Sequence, residues 1–132
     1  MYMLDTDTCI YIIKRRPPVV RQRLDSIPIG EVVVSTVTAA ELHYGVCQSA
    51  RLDANLQELE RFLEFVTVLD WPLDAARHYG LVRSQLQRQG TPIGPMDLMI
   101  AAHALSTGAT LVTNNIREFD RVSGLRLENW TD

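Results

Sequence analysis

Cysteine and long apolar runs are scarce in this sequence of 132 residues. The two cysteines, Cys9 and Cys47, show no metal-ligand spacing, so we exclude a disulfide framework and predict two buried, reduced thiols. No apolar run approaches the length of a membrane span, and the acidic N-terminus lacks the pattern of a secretion signal. These absences predict a soluble, cytoplasmic protein.

Lysine is nearly absent as well. Lys14 is the only lysine among 13 basic residues, the others being arginine, and the net charge is −3. This balance argues against a broad basic surface for nucleic acid. Arginine nevertheless suits local phosphate contacts through its planar guanidinium group. We therefore treat Lys14, Arg15 and Arg16 as candidate substrate-binding residues, with a solvated face as the alternative.

The rest of the composition is that of a globular protein, with 46% hydrophobic and 22% charged residues. Short β-branched or apolar runs alternate with helical patterns. The predicted strands are residues 2–5, 31–35, 66–69, 109–113 and 125–128, and the predicted helices are residues 8–14, 18–26, 37–49, 52–66, 72–89 and 95–108. This alternation predicts an α/β fold of one domain, residues 1–132, whose central parallel sheet is covered on both faces.

Residues 91–103, TPIGPMDLMIAAH, place Asp97 where a loop becomes a buried helix. Pro95 fixes its own backbone and suits the first turn of a helix. An acid at that point can cap the helix, which is the simplest interpretation of Asp97 taken alone. Other acids at equivalent points of the chain favour a chemical role.

Acidic and amide side chains recur near the carboxyl ends of the predicted strands. Asp5 ends the first strand, Glu41 lies in the helix after the second, and Asp97 begins the helix before the fourth. Asn114 and Asn115 follow the fourth strand. Because ligands bind at this edge of an open parallel sheet, we expect these residues to lie together.

Local interpretations compete at some positions. Glu41 stands three residues after Thr38, which matches a capping box, and Asp7 could cap the short helix after Thr6. The apolar stripe of helix 52–66 packs either on the core or on another chain. The histidines and tryptophans are predicted to be packing or surface residues: His43, His78, His103, Trp71 and Trp130.

Acids gathered in one cleft repel each other, so they either share protons or bind a cation. An oxygen-only ligand set without cysteine or histidine favours Mg²⁺, with Mn²⁺ as the alternative. Such an ion can activate water and stabilise charge on a phosphoryl oxygen. The pattern therefore favours hydrolysis of phosphodiester bonds.

Four motifs of this sequence carry a resemblance to a known family: MLDTDTCI, TAAELHYG, GPMDLMIAAHA and LVTNNIREFDRVSGLRLENW. In order and spacing they resemble the PIN-domain ribonucleases, most closely the VapC toxins of bacterial VapBC toxin–antitoxin pairs. The resemblance covers nearly the whole chain. It implies a three-layer α/β/α sandwich with a central parallel sheet, and a homodimer.

The resemblance also implies a site and an activity. Asp5, Glu41 and Asp97 match the metal-binding acids of a Mg²⁺-dependent endoribonuclease. A VapB antitoxin would inhibit it by laying its C-terminal segment across the active-site groove, and DNA would be contacted only through that antitoxin. The ending of the chain resembles the branch that cleaves initiator tRNA in the anticodon loop.

Two positions depart from the family pattern. Many PIN domains carry an acid where Asn115 stands, so Glu118 or Asp120 could take over, or three acids could suffice. Asp7 stands where asparagine is common in this branch.

Two rival interpretations use the same residues. The start Asp5-Thr6-Asp7-Thr8 also resembles haloacid-dehalogenase phosphatases, but these enzymes and phosphoacceptor receiver domains need a downstream lysine that this sequence lacks. The other rival is a PIN-like module that binds RNA or protein without cutting it. That rival needs a broken acid cluster, whereas Asp5, Glu41 and Asp97 are all intact.

Overall fold

Five short parallel strands form the centre of the computed structural model, which describes residues 1–132. They are β1 (Tyr2–Leu4), β2 (Val32–Ser35), β3 (Thr67–Leu69), β4 (Thr110–Val112) and β5 (Leu127–Glu128). Their order in the sheet is β3-β2-β1-β4-β5. The chain thus runs from β1 out to one side and returns to β4 on the other. Strand β1 and its neighbours therefore form a switch point, beyond whose carboxyl ends open α/β sheets bind ligands.

Helices cover both faces of this sheet. They are α1 (Thr6–Lys14), α2 (Pro18–Asp25), α3 (Thr36–Cys47), α4 (Leu52–Phe65), α5 (Leu73–Arg88), α6 (Pro95–Thr107) and α7 (Ile116–Phe119), with a 3₁₀ turn at Ile29–Glu31. Helices α1, α2 and α4 pack on one face, and α5 and α6 pack on the other. The predicted three-layer α/β/α sandwich is confirmed. None of the helices combines the length and the apolar sequence needed to cross a membrane.

The strands alternate their side chains between two apolar cores, as the period of two requires. Met3, Val33 and Leu111 face α5 and α6, whereas Leu4 and Val112 face α1, α2 and α4. A sheet buried on both faces explains why its strands lack polar alternation in the sequence.

The observed bounds lie within two residues of the predicted ones, with some differences that matter. Helix α7 was not predicted, and α1 begins at Thr6 rather than Thr8 because Asp5 caps it. The apolar stripe of α4 packs on the core through Leu59 and Leu63, whereas Leu52 at the start of the helix is exposed. Of the two thiols predicted to be buried, Cys9 is, but Cys47 is exposed at the end of α3.

Candidate active site

Asp5 lies at the carboxyl end of the central strand and is 4% exposed. Its Oδ1 accepts a hydrogen bond of 2.9 Å from the backbone N–H of Thr8, so it is also the cap of α1. The prediction that Asp7 caps this helix is wrong, because Asp5 already occupies the cap position. Burial raises the pKa of Asp5, although hydrogen bonds from Thr113 and Thr8 oppose the shift.

Glu41 projects from α3 toward the start of α1. Its Oε1 accepts a hydrogen bond of 2.5 Å from the hydroxyl of Thr6. The capping-box interpretation with Thr38 is wrong, since Ser35 caps α3 by accepting a 3.1 Å bond from the N–H of Val37. Glu41 is therefore free of helix capping and is oriented by a residue beside Asp5.

Asp97 lies in the first turn of α6 and does not cap it. The cap position belongs to Gly94, which has no side chain to offer, so the capping interpretation of Asp97 is wrong. The pKa of Asp97 is raised to about 7, first by burial, then by the charge and hydrogen bonding of Glu118, and then by the charges of Glu41 and Asp5. Such mutual effects require that the four carboxylates share one region. We call Asp5, Glu41, Asp97 and Glu118 the acid cluster.

Helix α7 brings Glu118 into the acid cluster. Its Oε1 accepts a 3.4 Å bond from the N–H of Gly94, and its other oxygen accepts a bond from the side-chain amide of Asn115. Asp120 is exposed at the end of α7 and does not influence Asp97. Among the three candidates for the fourth position, Glu118 is thus the acid beside Asp97, and Asn115 holds it.

Sequence reasoning missed two hydroxyls at this edge. Thr6 holds Glu41, as described, and buried Thr113 bonds to Asp5 while accepting a 2.9 Å bond from the N–H of Asn115. Both stand directly beside a candidate residue in the sequence, which was the available signal. Asn114 turns away from the cluster and donates a 2.7 Å bond to the hydroxyl of Tyr11.

The basic run lies at the far end of α1 from Asp5, and its first member, Lys14, also lines a smaller pocket that contains Glu41. Lys14 ends α1, Arg15 and Arg16 follow it, and Asp5 stands at the opposite end of the same helix. All three cations line a surface groove with a volume of about 830 Å³.

Comparison with known proteins decides the family. The PIN domain model matches residues 2–125. This chain belongs to the PIN-domain family. The tRNA(fMet)-specific endonuclease VapC of Shigella flexneri is 48% identical to this PIN domain over 130 residues, covering 98% of both chains. The protein of the same name from Salmonella typhimurium is 45% identical over 129 residues, covering 98% of this chain and 97% of its own.

Solved structures give the same result for this PIN domain. A crystal structure of DNA-bound VapBC from Salmonella typhimurium contains a chain with a TM-score of 0.92 and 45% identity, covering 98% of this chain and 97% of its own. A chain of VapBC-1 from nontypeable Haemophilus influenzae has a TM-score of 0.91 and 39% identity, covering 99% of this chain and 98% of its own. The fold and the sequence thus place the chain in one family.

The acid cluster of this PIN domain fits a hard divalent cation by its chemistry. No three histidine, cysteine or carboxylate side chains already stand close enough to enclose an ion. All four members offer oxygen atoms, however, and after burial the charges of Glu118, Glu41 and Asp5 raise the pKa of Asp97. A bound cation would relieve this repulsion, and oxygen ligands are those that Mg²⁺ and Mn²⁺ prefer.

Proposed function

We propose that this PIN domain is a metal-dependent endoribonuclease, the toxin of a type II toxin–antitoxin pair. Its substrate would be initiator tRNA, cut in the anticodon loop, so that translation stops in the cytoplasm. The gathering of four carboxylates beyond the carboxyl ends of β1 and β2 carries this proposal. The names of the Shigella and Salmonella relatives support the substrate.

The members of the acid cluster have different proposed roles. Asp5, Glu41 and Asp97 would hold Mg²⁺, or Mn²⁺, which when bound can activate water and stabilise charge on a phosphoryl oxygen. Asp5 is fixed by the start of α1 and Glu41 by Thr6, so two of the ligands are held before any ion arrives. Glu118, held by Asn115, adds negative charge beside Asp97 and takes the place of the acid that many PIN domains carry at position 115.

A VapB-type antitoxin is the expected partner. Related chains have been solved as VapBC complexes, including one bound to DNA, which supports a DNA contact made through the antitoxin. The homodimer implied by resemblance stays a prediction, which sedimentation of the purified chain would decide.

The first test incubates purified, antitoxin-free protein with total bacterial tRNA in Mg²⁺ or in EDTA, and maps the cut ends by sequencing. We expect metal-dependent cuts in the anticodon loop of initiator tRNA. Asp5→Asn should abolish them, because it removes the charge while asparagine can still cap α1. Asp120→Asn is the matched control and should cut normally. If the wild type cut no RNA in Mg²⁺ or Mn²⁺, a binding-only PIN module would replace the nuclease.

A further inference from the structure

A second functional surface lies at the far end of α1. Five cations from three helices and their connections line the groove noted above: Lys14, Arg15, Arg16, Arg21 and Arg61. We call this surface the basic groove. Arg21 pairs with Asp25 at 3.5 Å, and the other four cations form no ion pair. Glu58 is the only carboxylate on the lining. A chain with a net charge of −3 therefore concentrates uncompensated positive charge in one place.

Helix stability alone does not account for this concentration. The helix dipole stabilises cations at the C-terminal end of α1, and this explains the positions of Lys14 and Arg15. Arg61, however, lies on α4 and Arg21 on α2, so the dipole of α1 gives no reason for either. Like charges brought together from separate helices repel each other, and an anion bound among them would relieve that cost.

Asp5 and the basic groove lie at opposite ends of α1. Nine residues of α1 separate Asp5 from Lys14, and at 1.5 Å of rise per residue this is about 14 Å. A stacked nucleic-acid strand advances about 3.4 Å per nucleotide, so about four nucleotides would cover that distance. Phe65, which is 48% exposed, adds an aromatic face to the same groove. Arginine beside an exposed aromatic ring is the combination that binds single-stranded nucleic acid.

We propose that the basic groove binds the phosphate backbone of the RNA substrate on one side of the cleavage point. This inference rests on the proposed ribonuclease function. Helix α1 then sets the spacing, with Asp5 at its N-cap and the first of the phosphate contacts at its last residue, Lys14. The groove adds affinity for RNA and sets which strand length reaches the acids.

The test measures binding of bacterial tRNA to the full chain by filter retention across a range of salt concentrations. All proteins carry Asp97→Asn, so that the RNA is not cut during the measurement. Arg61→Ala and the double variant Arg16→Ala/Arg61→Ala are compared with Arg88→Ala. Arg88 is an exposed arginine without an ion pair at the end of α5, in the opposite helical layer.

Each lost phosphate contact should lower the slope of log affinity against log salt by about 0.7 to 0.9. We therefore expect Arg61→Ala to lose about one such increment and the double variant about two, with weaker binding at physiological salt. Arg88→Ala should match its parent. Slopes that stay equal in all four proteins would overturn the proposal and leave the basic groove to a protein partner.

This readout separates the two proposals because it does not depend on cutting. If the wild type cleaves tRNA and the groove variants keep the parental slope, the nuclease proposal stands and the proposal for the basic groove fails. If the groove variants have reduced slopes but the wild type cuts no RNA, RNA binding by the basic groove stands and the nuclease proposal fails.

Discussion

At the scale of single side chains, the members of the acid cluster are held to different degrees. Asp5 is bonded to the N–H of Thr8, and Glu41 to the hydroxyl of Thr6. Asp97 instead is half-buried beside other carboxylates, and burial first, then their charges, raises its pKa to about 7. The metal-free fold therefore disfavours the charged form of Asp97.

Replacing Asp97 by asparagine should abolish cleavage while stabilising the metal-free protein. A carboxyl whose pKa is higher in the folded state loses stability as pH rises from its unfolded value, near 4, to about 7. Discounted for solvent exposure, this is about 1 kcal/mol at neutral pH, or about 4 °C in Tm for a domain of this size. Thermal unfolding in EDTA at pH 8 measures the rise. The same experiment at pH 4 is the control, where the two proteins should converge.

The hydroxyl of Thr6 should matter to catalysis although it touches no substrate in our proposal. Thr6→Val keeps the shape of the side chain and removes the bond to Glu41. Because groups that orient a metal ligand are worth about 10- to 100-fold in metal affinity or activity, we expect cleavage to fall by that amount, with a higher Mg²⁺ requirement. Thr6→Ser should restore it. A fully active Thr6→Val protein would mean that this bond belongs to the metal-free form alone.

At the scale of elements, three of the four acids could be predicted because each lies at the end of a recognisable strand or in the first two turns of a recognisable helix. Asp5 follows an apolar strand, Glu41 a β-branched strand, and Asp97 a Gly-Pro helix start. Glu118 could be offered only as one of three candidates, since α7 has four residues and no periodicity marks so short a helix. Its choice over Asp120 depends on how α7 packs.

The residues that cap the N-termini of the helices were the local feature least predictable from the sequence. The sequence VSTVT offers several hydroxyls, and Ser35, the last residue of β2, takes the cap position of α3. The pairing of β2 with β3 determines where β2 ends, and the end of β2 determines which hydroxyl caps α3. This is a tertiary effect that the local sequence pattern does not contain. The same reason explains why Asp5 rather than Asp7 caps α1.

Ser35 also joins two elements. Its hydroxyl lies 2.8 Å from Nδ1 of His103 on α6, and His103 is 1% exposed, with no partner for Nε2. Burial lowers the pKa of His103, because the charged imidazole is disfavoured away from water. Because the unfolded chain takes up a proton on this histidine more readily, the folded state loses stability as pH falls below about 6.5, the ordinary pKa of histidine.

We therefore expect the free energy of unfolding to fall by up to about 1.4 kcal/mol per pH unit below pH 6.5. The measurement is urea unfolding between pH 5 and 8 in the Asp97→Asn background, since Asp97 would otherwise shift stability in the opposite sense over the same range. His103→Asn cannot take up this proton and should flatten the decline. An equally steep decline in both proteins would assign the acid sensitivity to other groups.

At the scale of the whole molecule, metal and fold should stabilise each other. An ion that binds only the folded chain adds about 2.7 kcal/mol when its concentration is a hundredfold above Kd. Mg²⁺ or Mn²⁺ should thus raise the Tm of the wild type and of Asp120→Asn, but much less that of Asp97→Asn. The gain should shrink below pH 7, where a proton competes for Asp97. An equal gain in all three proteins would place the ion elsewhere.

The position of β1 in the middle of the sheet has a consequence for synthesis on the ribosome. Strand β1 pairs with β4, whose residues are made more than a hundred positions later, and the acid cluster needs both Asp5 and Glu118. At a translation rate of about 5–20 residues per second, a growing chain therefore contains Asp5 for several seconds before Glu118 is made. A copy that has not reached Glu118 carries no complete cluster, so the proposed active site can assemble only after these distant parts of the chain have both been made.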